Sequence, residues 1–138
     1  MNVHLSDDYK PTEDEPFMSS RQQEYFRTKL LKWRAEILAD ANQTIANLQV
    51  ETVKEPDIAD RASTESERAL ELRTRDRQRK LIGKIDAALR RIDEGVYGYC
   101  DETGDPISLR RLEARPVATL SLEAQERHER REKIYRDD

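Results

Sequence analysis

The chain has 138 residues, 36% hydrophobic and 39% charged, with one Trp and two Phe; charge this dense with so few aromatics excludes a large globular core and leaves long solvated helices as the ordered alternative. Its 25 basic and 29 acidic residues nearly cancel to a net charge of -4, which argues against free duplex DNA as the main partner and for a mixed-charge protein surface. No apolar run approaches the roughly 20 residues of a membrane span, the acidic start lacks a signal-peptide core, and one cysteine cannot close an intramolecular disulfide, so a cytoplasmic protein is expected.

Residues 1–18 carry Asp7, Asp8, Glu13, Asp14 and Glu15 with prolines at 11 and 16, the pattern of an extended arm, with Val3, Leu5 and Tyr9 as anchors onto a globular end. From Ser19 or Ser20, either of which can cap a first turn, no Gly or Pro appears until Pro56. Phe26, Leu30, Trp33, Ile37, Thr44 and Leu48 follow at gaps of four, three, four, seven and four, the stripe of a helix packing on another helix. The skipped position falls on Asp40.

"VKEPDIADRAS" (Val53 to Ser63) breaks the periodicity, and Thr64 with Glu67 has the spacing of a capping box, so a hairpin tip is expected near 54–62. A second helix is expected from about Arg61 to Glu94, with Ala62, Ala69, Leu72, Ile82, Ile85, Leu89 and Ile92 on or near one face. Each helix would be roughly 34 residues or about 50 Å long at 1.5 Å per residue. Residues 19–94 therefore read as an antiparallel coiled coil within a mainly helical protein. Within it, "RTRDRQRK" places five basic residues in eight, a solvated face when taken as a bare charge run.

Gly95 ends the second helix and opens a turn-rich segment, 95–121. From about Leu122 to 138 the chain becomes helical again, with Glu123, Glu126, Glu129 and Glu132 each four residues before a basic residue, a solvated face. One Cys, two His and no glycine-rich phosphate loop argue against an enzyme.

The blocks "PDIADRAS", "ELRTRDRQRKLI", "YGYCDETG" and "RRLEARP" occur in the order found in the DksA family of bacterial transcription factors, and the chain resembles that family from about Phe17 to Arg131. An intramolecular hairpin favours a monomer, and the resemblance implies a protein that binds RNA polymerase by inserting its coiled coil into the secondary channel. With ppGpp as effector it would inhibit ribosomal RNA promoters and activate others in the stringent response, without sequence-specific DNA binding and away from any membrane. It also implies a polymerase active-site tip at Asp57, Asp60 and Ala62, a polymerase contact at Arg77, and ppGpp contacts at Leu81, Lys84, Arg115 and Gln125. Gln125 stands where the family usually has Lys, so a weakened ppGpp response is expected.

Typical members carry a C-x2-C, seventeen residues, C-x2-C zinc site. Here those positions are Cys100, Thr103, Ser121 and Ala124. Ala124 cannot ligate, and neutral hydroxyls are poor substitutes for thiolate, so no structural zinc and no tightly bound cofactor is expected. Cys100, Asp101, Asp105 and His128 are the other local candidates, and His128 falls in the charge-paired helix. The segment is instead expected to keep ribbon-like turns, tied by local hydrogen bonds and by Leu109, Leu112, Val117 and Leu120 packing on the helices. Two alternatives stay open: a Gre-like secondary-channel factor, and a passive coiled-coil adaptor for which Asp57 and Asp60 are merely helix caps.

Overall fold

The structure, a computed structural model, describes residues 4–51 and 58–137; the side chains of 44, 47–51, 58–62 and 136–137 are outside the described set, as is Val3. The fold is mainly helical: α1 (Ser20–Glu51), α2 (Ile58–Glu94), α3 (Leu109–Ala114) and α4 (Leu122–Asp137). Among the described residues the only β feature is an isolated bridge between Tyr99 and Pro106. The chain divides into two units, Leu31–Asp86 and Met1–Leu30 with Ala87–Asp138.

α1 starts where its polar residues can satisfy the free N–H groups of a first turn. The Gln22 N–H donates to Ser19 Oγ at 3.3 Å, and the Gln22 side chain reaches back to accept from the Met18 N–H at 2.7 Å. α2 begins at Ile58, three residues ahead of the sequence expectation, so Thr64 and Glu67 lie inside the helix and do not cap it. It ends where Gly95, at φ +77°, lets the Val96 and Tyr97 N–H groups turn back onto the Arg91 carbonyl at 2.9 and 3.2 Å.

The two long helices run antiparallel. Arg27 pairs with Asp93 at 2.7 Å and Arg34 with Asp86 at 2.8 Å, so a step of seven forward on α1 is a step of seven back on α2. In the unit Leu31–Asp86, Ile37 and Ile85 are buried and Trp33 is half-buried, whereas Ala69 and Leu72 are exposed, Leu72 at 54%. That corrects the expected stripe on α2. The residues a heptad and two heptads before Ile85 are Gln78 and Glu71, both half-buried, so the seam continues through polar side chains. Thr44, Leu48 and Ala62 of the expected stripes lie outside the described side chains.

The other unit holds most of the core. Phe26 and Leu30 of α1, Ala88 and Ile92 of α2, and Tyr97, Ile107 and Leu112 are all fully or nearly fully buried, and the rings of Phe26 and Tyr97 lie 5.6 Å apart. Leu112 and Val117 are buried, and Leu109 and Leu120 half-buried. The arm packs on the same unit: Arg21 stacks 4.3 Å from the centre of the Tyr9 ring, and Tyr9 meets Tyr25 edge-on at 6.0 Å. Gly98, at φ +93°, gives it room, since a Cβ there would lie 3.1 Å from Met18 Cε.

Candidate functional site

The tip residues come first. Asp57 lies outside the described residues; Asp60 is the third residue of α2 and Ala62 the fifth, their side chains outside the described set. Asp60 is thus in the first turn of α2.

Arg77 is exposed in the middle of α2. Leu81 and Lys84 sit one turn apart on the same helix, Leu81 half-buried and Lys84 exposed, in the unit Leu31–Asp86. Arg115 and Gln125 belong to the other unit. Arg115 ends α3, with its backbone N–H donated to the Arg111 carbonyl and its side chain exposed. The Gln125 amide donates to Glu129 at 3.1 Å. Lys84, Arg77 and Arg115 have no acidic partner within 4.0 Å among the described residues, which leaves three cations available to anions.

Of the four positions that resemble a zinc site, Thr103 and Ser121 bond to Cys100, which is 2% exposed. Burial disfavours the thiolate, but hydrogen bonds from the Thr103 hydroxyl and from the N–H groups of Ser121, Thr103 and Glu102 outweigh it, and the thiol pKa falls to about 6. Thr103 Oγ1 also accepts from the Asp105 N–H at 3.2 Å. Ser121 Oγ accepts from the Ala124 N–H at 3.2 Å, capping α4, and the Ala124 methyl is fully buried. One sulfur, two hydroxyls already engaged and a methyl do not make a zinc donor set. Among the described residues no three His, Cys, Asp or Glu are grouped to hold a metal, and His128 faces Glu132 at 3.5 Å in α4.

Hydrogen bonds close the ribbon. Cys100 N–H donates to the Asp105 carbonyl and Gly104 N–H to the Cys100 carbonyl, both at 2.8 Å, making a tight turn. Asp101 N–H donates to the Thr119 carbonyl at 2.8 Å, Arg111 Nε to the Leu120 carbonyl at 2.8 Å, and the buried Tyr97 hydroxyl to the Pro116 carbonyl at 2.7 Å.

Sequence reasoning missed a polar anchor beside this segment. Glu113 of α3 accepts from the Tyr25 hydroxyl at 2.6 Å and from Lys29 Nζ at 2.7 Å, both on α1. Burial raises the Glu113 pKa, but the bonds from Lys29 and Tyr25 prevail and hold it below the usual carboxylate range. Burial and the bond to Glu113 push Tyr25 up to about 12. The signal available was Glu113 standing inside the "RRLEARP" block; nothing in the spacing pointed to Tyr25.

Comparison with known proteins follows the same blocks. Residues 22–92 match the family model of the DnaK suppressor protein DksA N-terminal domain, and residues 95–130 that of the prokaryotic dksA/traR C4-type zinc finger. The chain is 67% identical over 131 residues to the RNA polymerase-binding transcription factor DksA of Caulobacter vibrioides, covering 95% of this chain and 92% of that one. It is 41% identical over 125 residues to the protein of the same name from Escherichia coli K12, covering 91% and 83%. The solved structure of transcription factor DksA2 from Pseudomonas aeruginosa is similar at a TM-score of 0.78 and 46% identity, covering 85% of this chain and 90% of that one.

Proposed function

Since the chain belongs to the DksA family, we propose that it is a cytoplasmic, monomeric transcription regulator that binds RNA polymerase through the secondary channel. The 67% identity over nearly the whole chain to a relative named as RNA polymerase-binding carries this reading. The family is one of transcription factors, and no enzymatic role is proposed.

The antiparallel pair α1 and α2 is the element that enters the channel, and the carboxylates of Asp57 and Asp60 are what it delivers. A carboxylate there acts by charge on magnesium or basic groups near the polymerase active site. Arg77 contacts polymerase from the outer face of α2. ppGpp binds at the protein–polymerase interface, with Lys84 and Arg115 taking its phosphates and Leu81 and Gln125 completing the contacts. Gln125 brings no positive charge, so ppGpp binds more weakly than with a Lys there. With the effector, the protein inhibits ribosomal RNA promoters and activates others. The 95–121 segment works without zinc.

Transcription from a ribosomal RNA promoter, with and without ppGpp, tests this. Asp60→Asn keeps the size of the side chain and removes its charge. Inhibition by the wild type, enhanced by ppGpp and lost in Asp60→Asn at unchanged melting temperature, is the expected result. Undiminished inhibition by the variant would leave Asp60 a residue of the first helical turn only and favour the passive adaptor.

A further inference from the structure

Within the unit Leu31–Asp86, α1 and α2 leave a groove of about 490 Å³ where the seam turns polar, the size of an ordinary small-molecule site. Leu38 and Ile45 of α1 and Leu72 and Ile82 of α2 give it apolar walls. Arg75 and Gln78 of α2 also line it and, three residues apart, are neighbours on the helix surface. Arg75 is half-buried and takes part in no salt bridge among the described residues. Gln78 Oε1 is enclosed without a hydrogen-bond donor, a costly state for an amide oxygen. Asp76, the acid of the lining, is bonded to Arg79 at 2.6 Å and Lys80 at 3.1 Å, so its charge is compensated and that of Arg75 is not.

We infer that this groove is a small-molecule site for a β-hydroxy carboxylic acid with an alkyl chain of medium length. Each part of such a molecule answers one feature of the groove. The alkyl chain lies on the apolar walls, and the carboxylate pairs with Arg75, whose guanidinium can take it through two N–H groups. The hydroxyl stands beside the carboxylate in the ligand as Gln78 stands beside Arg75 on α2, and it donates to Gln78 Oε1. The terminal torsion of a glutamine is broad, so rotation of the amide brings that oxygen from its enclosed position to the ligand. A simple fatty acid would leave Gln78 Oε1 unmet, and an alcohol would leave Arg75 unmet. The site belongs to this chain alone and is independent of the polymerase-binding reading above.

Isothermal titration calorimetry of the full chain with β-hydroxydecanoate, decanoate and methyl β-hydroxydecanoate tests the site. Saturable binding of one β-hydroxydecanoate per chain is expected, with decanoate and the methyl ester each about tenfold weaker, as for loss of one hydrogen bond to an enclosed acceptor or of one charge-assisted pair. The ester also separates a free acid from the same acyl group carried in ester linkage on a lipid. Gln78→Leu should erase the difference between the hydroxy acid and decanoate, and Arg75→Gln the difference between the acid and its ester. No saturable binding of β-hydroxydecanoate by the wild type, or binding of all three compounds within about twofold of one another, would overturn the inference. Unchanged discrimination in either folded variant would overturn it too, and the wild-type comparison decides even where a variant fails to fold.

Discussion

The two units of this chain treat their polar groups in opposite ways. In the unit made of Met1–Leu30 and Ala87–Asp138, Gln22 is fully buried and bonded to the Met18 N–H, the Tyr97 hydroxyl reaches the Pro116 carbonyl, and Cys100 is ringed by donors. In the unit Leu31–Asp86, only Ile37 and Ile85 are buried among the described residues, while Arg68 Nε, Glu71 Oε2 and Gln78 Oε1 are enclosed without partners. Complete satisfaction specifies one arrangement; orphaned groups in a polar seam leave the packing under-determined until something else supplies contacts. The second condition lets a segment adapt to what it meets, and the first lets a scaffold hold its own shape.

The sharpest way to break that contrast is a pair of identical substitutions. Leu112→Ala, at a fully buried site, should cost about 2–5 kcal/mol in urea unfolding, whereas Leu72→Ala should stay within about 0.5 kcal/mol. Equal losses would mean the units do not differ in packing as described.

Cys100→Ala should cost about 1–3 kcal/mol, because it strands the Thr103 hydroxyl and three backbone donors, and Cys100→Ser should cost less. The folded thiol titrates near 6, below the roughly 8.5 of a free cysteine. Its contribution is therefore complete above the unfolded value, declines as pH falls toward 6, and is lost below it. The melting temperature of the wild type should drop between pH 8.5 and 5.5 by more than that of Cys100→Ser. Parallel curves would show that the thiolate is not what the donors hold.

Glu113→Gln should cost about 1 kcal/mol or less, since both Glu113 and Lys29 are partly exposed and such pairs are screened by solvent. Its signature is a Tyr25 hydroxyl that titrates at lower pH than in the wild type, read by ultraviolet absorbance. The smallest effect belongs to metal removal: a chelator should leave the melting temperature and the transcription assay unchanged, and the purified protein should contain far less than one zinc per chain. Stoichiometric zinc would overturn the hydrogen-bonded account of the ribbon.

Much of the architecture was legible because it follows from periodicity and breakers. Phe26, Leu30 and Ile37 gave the α1 stripe, Ile85 and Ile92 the end of the α2 stripe, and Gly95 its stop. The α2 phase failed further up, where Ala69 and Leu72 attracted the assignment but the seam runs through Glu71 and Gln78; polar seam residues carry no hydrophobic signal. The helix start reads late in the sequence because Thr64 and Glu67 imitate a capping box that Ile58 precedes. α3, six residues long, is too short to show a period. Around Cys100, three of the four donors are backbone N–H groups, which every residue but proline possesses, so no side-chain pattern could announce them.

The salt bridges that fix the helix register have a consequence for reach. Arg27 with Asp93 and Arg34 with Asp86 repeat at an interval of seven residues, so excising one heptad from α1 and the facing heptad from α2 returns every remaining pair to phase. Each such double deletion shortens the paired helices by about 10 Å. The helical pair is in effect a ruler graduated in heptads.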